Sequence, residues 1–207
     1  KIFNNFNIPN KFKNSIILIG NFDGLHSGHQ KLFELAKKYK TKYKSKVGVV
    51  TFDPIPKMFF NKQIKNYRIS NFNQKVIYLK KFGVDFVINK KFDKNFSKIN
   101  YHKFIKDILS RKLRSKFIFV SNNFRFGHKR EGDVSQLKKY ESDFSYNLIN
   151  PAPLMKNKKI ISSTVIRKLL EEGKLLKANT FLKRNWEIEG KVQRGRMMGQ
   201  KIGFPTC

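Results

Sequence analysis

Residues 20–30 read Gly20-Asn21-Phe22-Asp23-Gly24-Leu25-His26-Ser27-Gly28-His29-Gln30. An apolar run, Ser15-Ile16-Ile17-Leu18-Ile19, precedes it, and Leu32, Leu35, Ala36 and Tyr39 follow at helical spacing. A buried strand, a glycine-rich turn and a helix make a recurrent phosphate-binding unit. The turn brings backbone N–H groups to the ligand, and the helix N-terminus adds the positive end of a dipole. His26 and His29 stand three residues apart and can share one face of the first helical turn. A single histidine here would ordinarily be a cap or a surface residue. Two of them, after a strand and among three glycines, point to phosphate handling. With no cysteine or third histidine at ligand spacing nearby, metal ligation by these side chains is not expected.

Working outward, further strands are expected over residues 46–52, 84–88, 117–120 and 146–149. Helices are expected over 71–82, with Gly83 as C-cap, over 101–111, and over 134–140. The prolines of Asp53-Pro54-Ile55-Pro56 force a turn between them. This alternation predicts an α/β fold, a Rossmann-like parallel sheet with helices on both faces. Ligands of such sheets bind beyond the carboxyl ends of the strands. Residues 20–29, 52–56 and 121–130 each follow a strand directly, so one sheet edge should gather all three.

A second phosphate signal is Ile161-Ser162-Ser163-Thr164-Val165-Ile166-Arg167. Hydroxyls at a helix start can donate to phosphate oxygens, and Arg167, one turn later, can add a bidentate contact. Taken alone, the stretch would read as an ordinary cap with a solvated arginine; beside the first motif it reads as the other half of a clamp. Two helices are expected, over 164–172 and 174–183, separated by Gly173. Residues 186–192 alternate as a strand does. A boundary near Arg184-Asn185 divides the chain into units 1–184 and 185–207, the second too short to form its own core.

The 207 residues include 21 phenylalanines, enough apolar material for a sizeable core. The formal net charge of +31 raises nucleic acid as a partner. The lysines are scattered, however, and Lys, Asn, Ile and Phe are enriched together as in AT-biased coding sequence. Compositional drift is therefore preferred, with no specific nucleic-acid partner. Cys207 is the sole cysteine, which excludes an intrachain disulfide and fits a reducing compartment. No apolar run reaches the ~20 residues of a bilayer span. No membrane association, a cytoplasmic location and a monomeric state are expected.

GNFDGLHSGH resembles the signature of the nucleotidyltransferase superfamily, and ISSTVIR resembles its second phosphate-binding motif. With TFDPIP and NNFRFGHKREGD, the chain resembles the bifunctional bacterial riboflavin kinase/FAD synthetase family, in its adenylyltransferase module. GKVQRGRMMGQKIGFPT resembles the first strands of the kinase module. The resemblance implies a nucleotidyltransferase fold followed by the start of a β-barrel. It also implies transfer of AMP from ATP to FMN, giving FAD and pyrophosphate by direct in-line attack, with Mg²⁺ carried on the ATP phosphates. His26, His29 and Arg167 would be catalytic. Gly20, Asn21, Phe22, Asp23, Gly24, Gly28, Ser162, Ser163 and Thr164 would surround the ATP phosphates, and Asn123, Phe124, Arg125, Phe126 and Gly127 the flavin.

In the kinase module Gly195, Gly199, Gly203, Pro205 and Thr206 would begin a nucleotide site for riboflavin phosphorylation by the full-length protein. The chain given ends at Cys207 and is not expected to phosphorylate riboflavin itself. The family usually has His at Ile55, Gly and Asp at Ser121 and Asn123, and Arg at Val165. These departures leave open a nucleotidyltransferase acting on another phosphorylated small molecule. A basic nucleic-acid-binding protein is the reading from a different class.

Overall fold

The structure is a computed structural model that describes residues 1–64, 67–156, 159–191 and Gly203. Six strands form one sheet: β1 (Ile2–Phe3), β2 (Ile16–Ile19), β3 (Val47–Asp53), β4 (Phe86–Lys91), β5 (Phe117–Phe119) and β6 (Asn147–Ile149). They lie in the order β1-β4-β3-β2-β5-β6, and every pairing is parallel. The chain runs outward from β2 to β3 and β4 on one side, then crosses back to β5 on the other side of β2. The β2/β5 boundary is thus the switch point, the place where parallel α/β sheets bind ligands.

The long helix α1 (Ser27–Tyr43) follows β2, and α2 (Pro56–Phe60) and α3 (Phe72–Lys81) lie between β3 and β4. Short helices α4 (Lys94–Ser97) and α5 (Tyr101–Lys103) run into a π-helix over Phe104–Lys112. Then come α6 (Val134–Lys139), a hairpin of β7 (Met155–Lys156) and β8 (Lys159–Ile160), and the pair α7 (Ser163–Glu171) and α8 (Leu175–Leu182).

Strand side chains alternate between two apolar clusters, as the period of two demands. Ile17, Ile19, Val50, Ile88 and Ile118 face Phe104, Ile105, Ile108, Leu109 and Leu113 around the π-helix. Ile16, Leu18, Val49, Val87 and Phe119 face Leu32, Phe33 and Ala36 of α1 and Leu79 of α3. Helices therefore cover both faces, as the alternation implied. A third, smaller cluster joins Ile69 to Ile166, Leu169, Ala178 and Leu182 of the α7/α8 pair, with Trp186 packed against it.

Three expectations change. The helix expected over 101–111 is mostly π-helical: the Leu113 N–H donates to the Ile108 carbonyl five residues back, at 3.0 Å. The wider turn aligns Phe104, Ile108 or Leu109, and Leu113 on the sheet, which an α spacing would splay. The strand expected over 84–88 runs instead from Phe86 to Lys91. Asp85 is drawn off as an anchor, accepting from Val47 N at 2.8 Å and from Lys40 Nζ at 2.7 Å. Residues 186–191 form no strand. Their polar groups bond to α3 instead, Gln74 donating to the Glu187 carbonyl at 3.1 Å and Tyr78 to its carboxylate at 3.1 Å. The remainder of the tail, with Gly195, Gly199, Pro205 and Thr206, lies outside the described residues, and Gly203 has a φ of 85°.

Candidate nucleotide site

The turn after β2 is shaped by residues that no ordinary strand–helix connection would hold. Phe22 and Leu25 take left-handed φ of 46° and 38°, and Gly24 a φ of 74°. Burial repays this strain: Phe22 sits edge-on to His29 and to Phe33, and Leu25 is fully buried. Gly24 is required by space as well as by φ, because a Cβ there would lie 2.9 Å from Ile69 Cγ2.

His26 caps α1, its Nδ1 accepting from the His29 N–H at 3.4 Å. The two imidazoles stack with centroids 3.7 Å apart. Burial, reinforced by Arg167, brings the His26 pKa down to about 4. Burial, with His26 and Lys75 nearby, holds His29 well below the usual imidazole value. Near neutral pH both rings are therefore uncharged hydrogen-bonding groups. Among the described residues, His29 Nδ1 is buried without a hydrogen-bond partner. Left dry, such an orphan costs about 1–3 kcal/mol, which a hydrogen-bonding ligand or water at this position would relieve.

The second motif arrives at the same place. Ser162 caps α7 by accepting from Val165 N at 3.4 Å. Ser163 Oγ donates to the Asp23 carbonyl at 2.9 Å. A Cβ on Gly28 would come within 3.4 Å of the Ile161 carbonyl, so the starts of α1 and α7 lie against each other. Each helix leaves its first N–H groups without an intrahelical acceptor. Two adjacent helix N-termini make a site that favours an anion. Thr164 is exposed in the first turn of α7.

Arg167 and Asp23 are engaged with one another. Arg167 Nη2 meets Asp23 Oδ2 at 2.8 Å, and its Nε donates to the Tyr67 carbonyl at 2.8 Å while the guanidinium stacks on the Tyr67 ring at 3.7 Å. The Asp23 carboxylate also accepts from Ile69 N at 3.0 Å. Arg167 was read as a phosphate clamp; two of its donating nitrogens are spent on the protein, and Nη1 makes no hydrogen bond among the described residues. Asp23 acts as an internal anchor of the turn.

The expected flavin residues sit after β5, across the switch point. Phe124 and Phe126 stack at 5.4 Å, Arg125 pairs with Asp133 at 2.8 Å, and the Asn123 side chain accepts from Ser121 Oγ at 2.9 Å. Gly127 has a φ of 77° and abuts Tyr101. Among the described residues no hydrogen bond or ion pair joins these five to the turn after β2. Ile55, where the family usually has His, is buried at the start of α2.

Sequence reading missed the basic floor of the site. Lys75 is 2% exposed; its Nζ donates to the Asn21 carbonyl at 2.7 Å and to Thr51 Oγ1 at 3.3 Å, joining the ends of β2 and β3. Burial lowers its pKa to about 8, with Arg68 pushing the same way and Asp23 and Asp53 opposing. Arg68 is paired with Asp53. The readable signal was a lysine four residues before Leu79, on the apolar face of α3. No group of three or more His, Cys, Asp or Glu able to hold a metal occurs among the described residues. The two carboxylates nearest the turn, Asp23 and Asp53, are already held by arginines.

A family model described as FAD synthetase matches residues 8–165. The chain belongs to the FAD synthetase family. Relatives named bifunctional riboflavin kinase/FMN adenylyltransferase match it almost end to end. That of Buchnera aphidicola subsp. Acyrthosiphon pisum is 40% identical over 97% of this chain and 64% of its own length. That of Escherichia coli K12 is 35% identical over 93% of this chain and 61% of its own length. The chain thus spans less than two thirds of these relatives. A crystal structure described as a macrolide-efflux protein from Streptococcus pneumoniae superposes with a TM-score of 0.75 at 27% identity, covering 84% of this chain and 66% of that one. No described helix is long and apolar enough to cross a membrane.

Proposed function

We propose that the chain transfers AMP from ATP to FMN, releasing pyrophosphate and forming FAD. The observation that carries this is the meeting of the α1 and α7 N-termini beside the unpartnered His29 Nδ1, in a chain of the FAD synthetase family. A phosphate oxygen of FMN attacks the α-phosphorus of ATP; the new P–O bond forms as the bond to the bridging oxygen of the β-phosphate breaks, and pyrophosphate leaves with that electron pair. No covalent bond to the protein is needed, so the chain's task is positioning and charge stabilisation.

His26 and His29, uncharged near neutral pH, donate hydrogen bonds to the triphosphate without adding net charge. Backbone N–H groups of Ser27 and Gly28 take one side of the phosphates. The hydroxyls of Ser162 and Thr164, with the N–H groups of Ser163 and Thr164, take the leaving side. The remaining Nη1 of Arg167 and the buried ammonium of Lys75 supply the positive field. Asn123, Phe124, Arg125, Phe126 and Gly127, across the switch point, are the side for FMN, with the stacked Phe124 and Phe126 offering an aromatic surface. Mg²⁺ would be held through ATP phosphate oxygens, where it neutralises charge on the transferring groups. Residues beyond Arg184 are assigned to the start of the riboflavin kinase unit, on the naming of the relatives as bifunctional and on the match through this region.

The test is FAD formation from FMN and MgATP with pyrophosphate release as a second readout. His29→Ala is expected to lower the rate by about 10²–10³, the scale for one electrostatic donor. Folded wild-type protein that makes no FAD under these conditions refutes the assignment, and a substrate panel of other phosphorylated small molecules then identifies the acceptor.

A further inference from the structure

The loop at residues 67–70 has no regular structure, yet it bonds both to the nucleotide turn and to Arg167. The Ile69 N–H donates to both Asp23 carboxylate oxygens, at 3.0 and 3.2 Å. Gly24 N donates to Ser70 Oγ at 3.3 Å, and the Tyr67 carbonyl accepts from Arg167 Nε at 2.8 Å. The Ile69 side chain lies directly on Gly24. A backbone segment with these duties needs its own fixing, since sheet and helix hydrogen bonds do not supply it.

One fixing point comes from the far end of the described chain. Trp186 Nε1 donates to the Ile69 carbonyl at 2.8 Å, so the two backbone groups of a single residue link Trp186 to Asp23. Trp186 is itself seated, its N–H donating to Asn179 Oδ1 at 2.7 Å and its ring packing on the Ile69, Ile166 and Leu182 cluster. Arg184 adds a parallel tie, Nη2 donating to the Gly24 carbonyl at 2.8 Å with its guanidinium over the Tyr78 ring at 4.0 Å. Both residues lie past the span matched by the family model, and Trp186 lies past the boundary read at residues 184–185.

We infer that Trp186 is a positioning residue for the nucleotide turn, acting through Ile69 on Asp23 and Arg167, so that the segment after α8 straps the ATP site. The inference rests on the nucleotide reading given above. Its physical basis is that a buried hydrogen bond to an irregular loop limits the conformations of that loop; removing the donor leaves the Ile69 carbonyl unpaired and frees the backbone that orients Asp23.

The test compares wild type with Trp186→Phe, which keeps an aromatic ring in the cluster and removes only the N–H donor. MgATP affinity is measured by calorimetry without FMN, and amide hydrogen exchange is followed over residues 20–25 and 67–70. The expected result is a roughly tenfold weaker MgATP affinity, the scale of one buried hydrogen bond. Faster exchange in both segments should accompany it, with exchange in the β2, β3 and β4 strands unchanged. A merely structural tryptophan would speed exchange throughout and leave the affinity of the folded fraction intact. Because Trp186 is the chain's single tryptophan, its fluorescence in wild type should also change on adding MgATP. If Trp186→Phe does not fold, Asn179→Ala, which unseats Trp186 without touching the loop, takes its place. A variant matching a wild type that binds MgATP overturns the strap alone. A wild type that binds no MgATP overturns the nucleotide reading, and with it this inference.

Discussion

The Asp23 carboxylate and the Arg167 guanidinium, 144 residues apart in the chain, meet at 2.8 Å with side chains only 4% and 14% exposed. This pair joins the turn after β2 to the first turns of α7. It makes two separate motifs into one structure, and its removal should be felt in both stability and chemistry.

Arg167→Ala leaves the Asp23 carboxylate buried without its counter-charge, a change that typically costs about 3–5 kcal/mol. Denaturant unfolding should show a loss of this order, and FAD formation should fall below detection. Arg167→Lys keeps the charge but cannot serve Asp23 and the Tyr67 carbonyl together. It should recover most of the stability and little of the rate. An Arg167→Ala protein as stable as wild type would contradict the anchoring role.

Gly28 offers a cleaner separation of rate from stability. A Cβ there would lie 3.1 Å from His26 Nδ1 and 3.4 Å from the Ile161 carbonyl. Gly28→Ala should therefore displace the His26 imidazole by a few tenths of an ångström. The expected outcome is at least a tenfold fall in kcat/KM with a stability change within about 1 kcal/mol, since alanine otherwise favours a helix. Steady-state kinetics and thermal melts on the same preparation check it.

Acid should unfold the protein through the histidine pair. The folded pKa of His26 is about 4 against an unfolded 6.5, so the unfolded state binds more protons between these values. Stability is full above pH 6.5 and declines as pH falls towards 4, by about 3 kcal/mol for His26 alone. His29, lowered in the same direction, steepens the decline. Urea unfolding between pH 4 and 7 measures the slope, and His26→Asn should flatten it. Bound polyphosphate favours the charged imidazoles and should shift the decline to lower pH.

Lys75 works in the alkaline range. Its folded pKa of about 8 lies below the unfolded 10.5, so the unfolded state again holds the extra proton between them. Its contribution makes stability rise from pH 8 to 10.5 and leaves it level below 8. Lys75→Met should remove that rise and be as stable as wild type or more so at pH 7. It should lose most activity, because the Asn21 carbonyl then keeps only the Thr51 hydroxyl, at 3.4 Å. Parallel pH-dependent unfolding and FAD assays would separate the two effects, and an active Lys75→Met enzyme would contradict the second.

Much of the site was legible because its signals are local. The glycines of the first turn report close approaches and positive φ. The alternation of strand and helix forces parallel pairing, and Ser162 before an apolar stripe marks a helix start. The elements that escaped depend on distant partners. The π-helical turn at Phe104–Lys112 follows from where the sheet needs apolar side chains. Residues 186–191 form no strand because donors on α3 and its cap, which no local pattern reveals, take up Glu187 and Glu189.

The α/β order, the turn after β2 and the helix start at Ser162 are written in the sequence, since periodicity, turn chemistry and capping act over a few residues. How the charges are spent is settled by packing. Arg167 turns to Asp23, Lys75 is buried under the turn, the imidazoles are uncharged, and Trp186 holds Ile69. These outcomes depend on burial and on partners up to 144 residues away, where desolvation sets the cost of each charge and the fold alone brings its counter-group within reach.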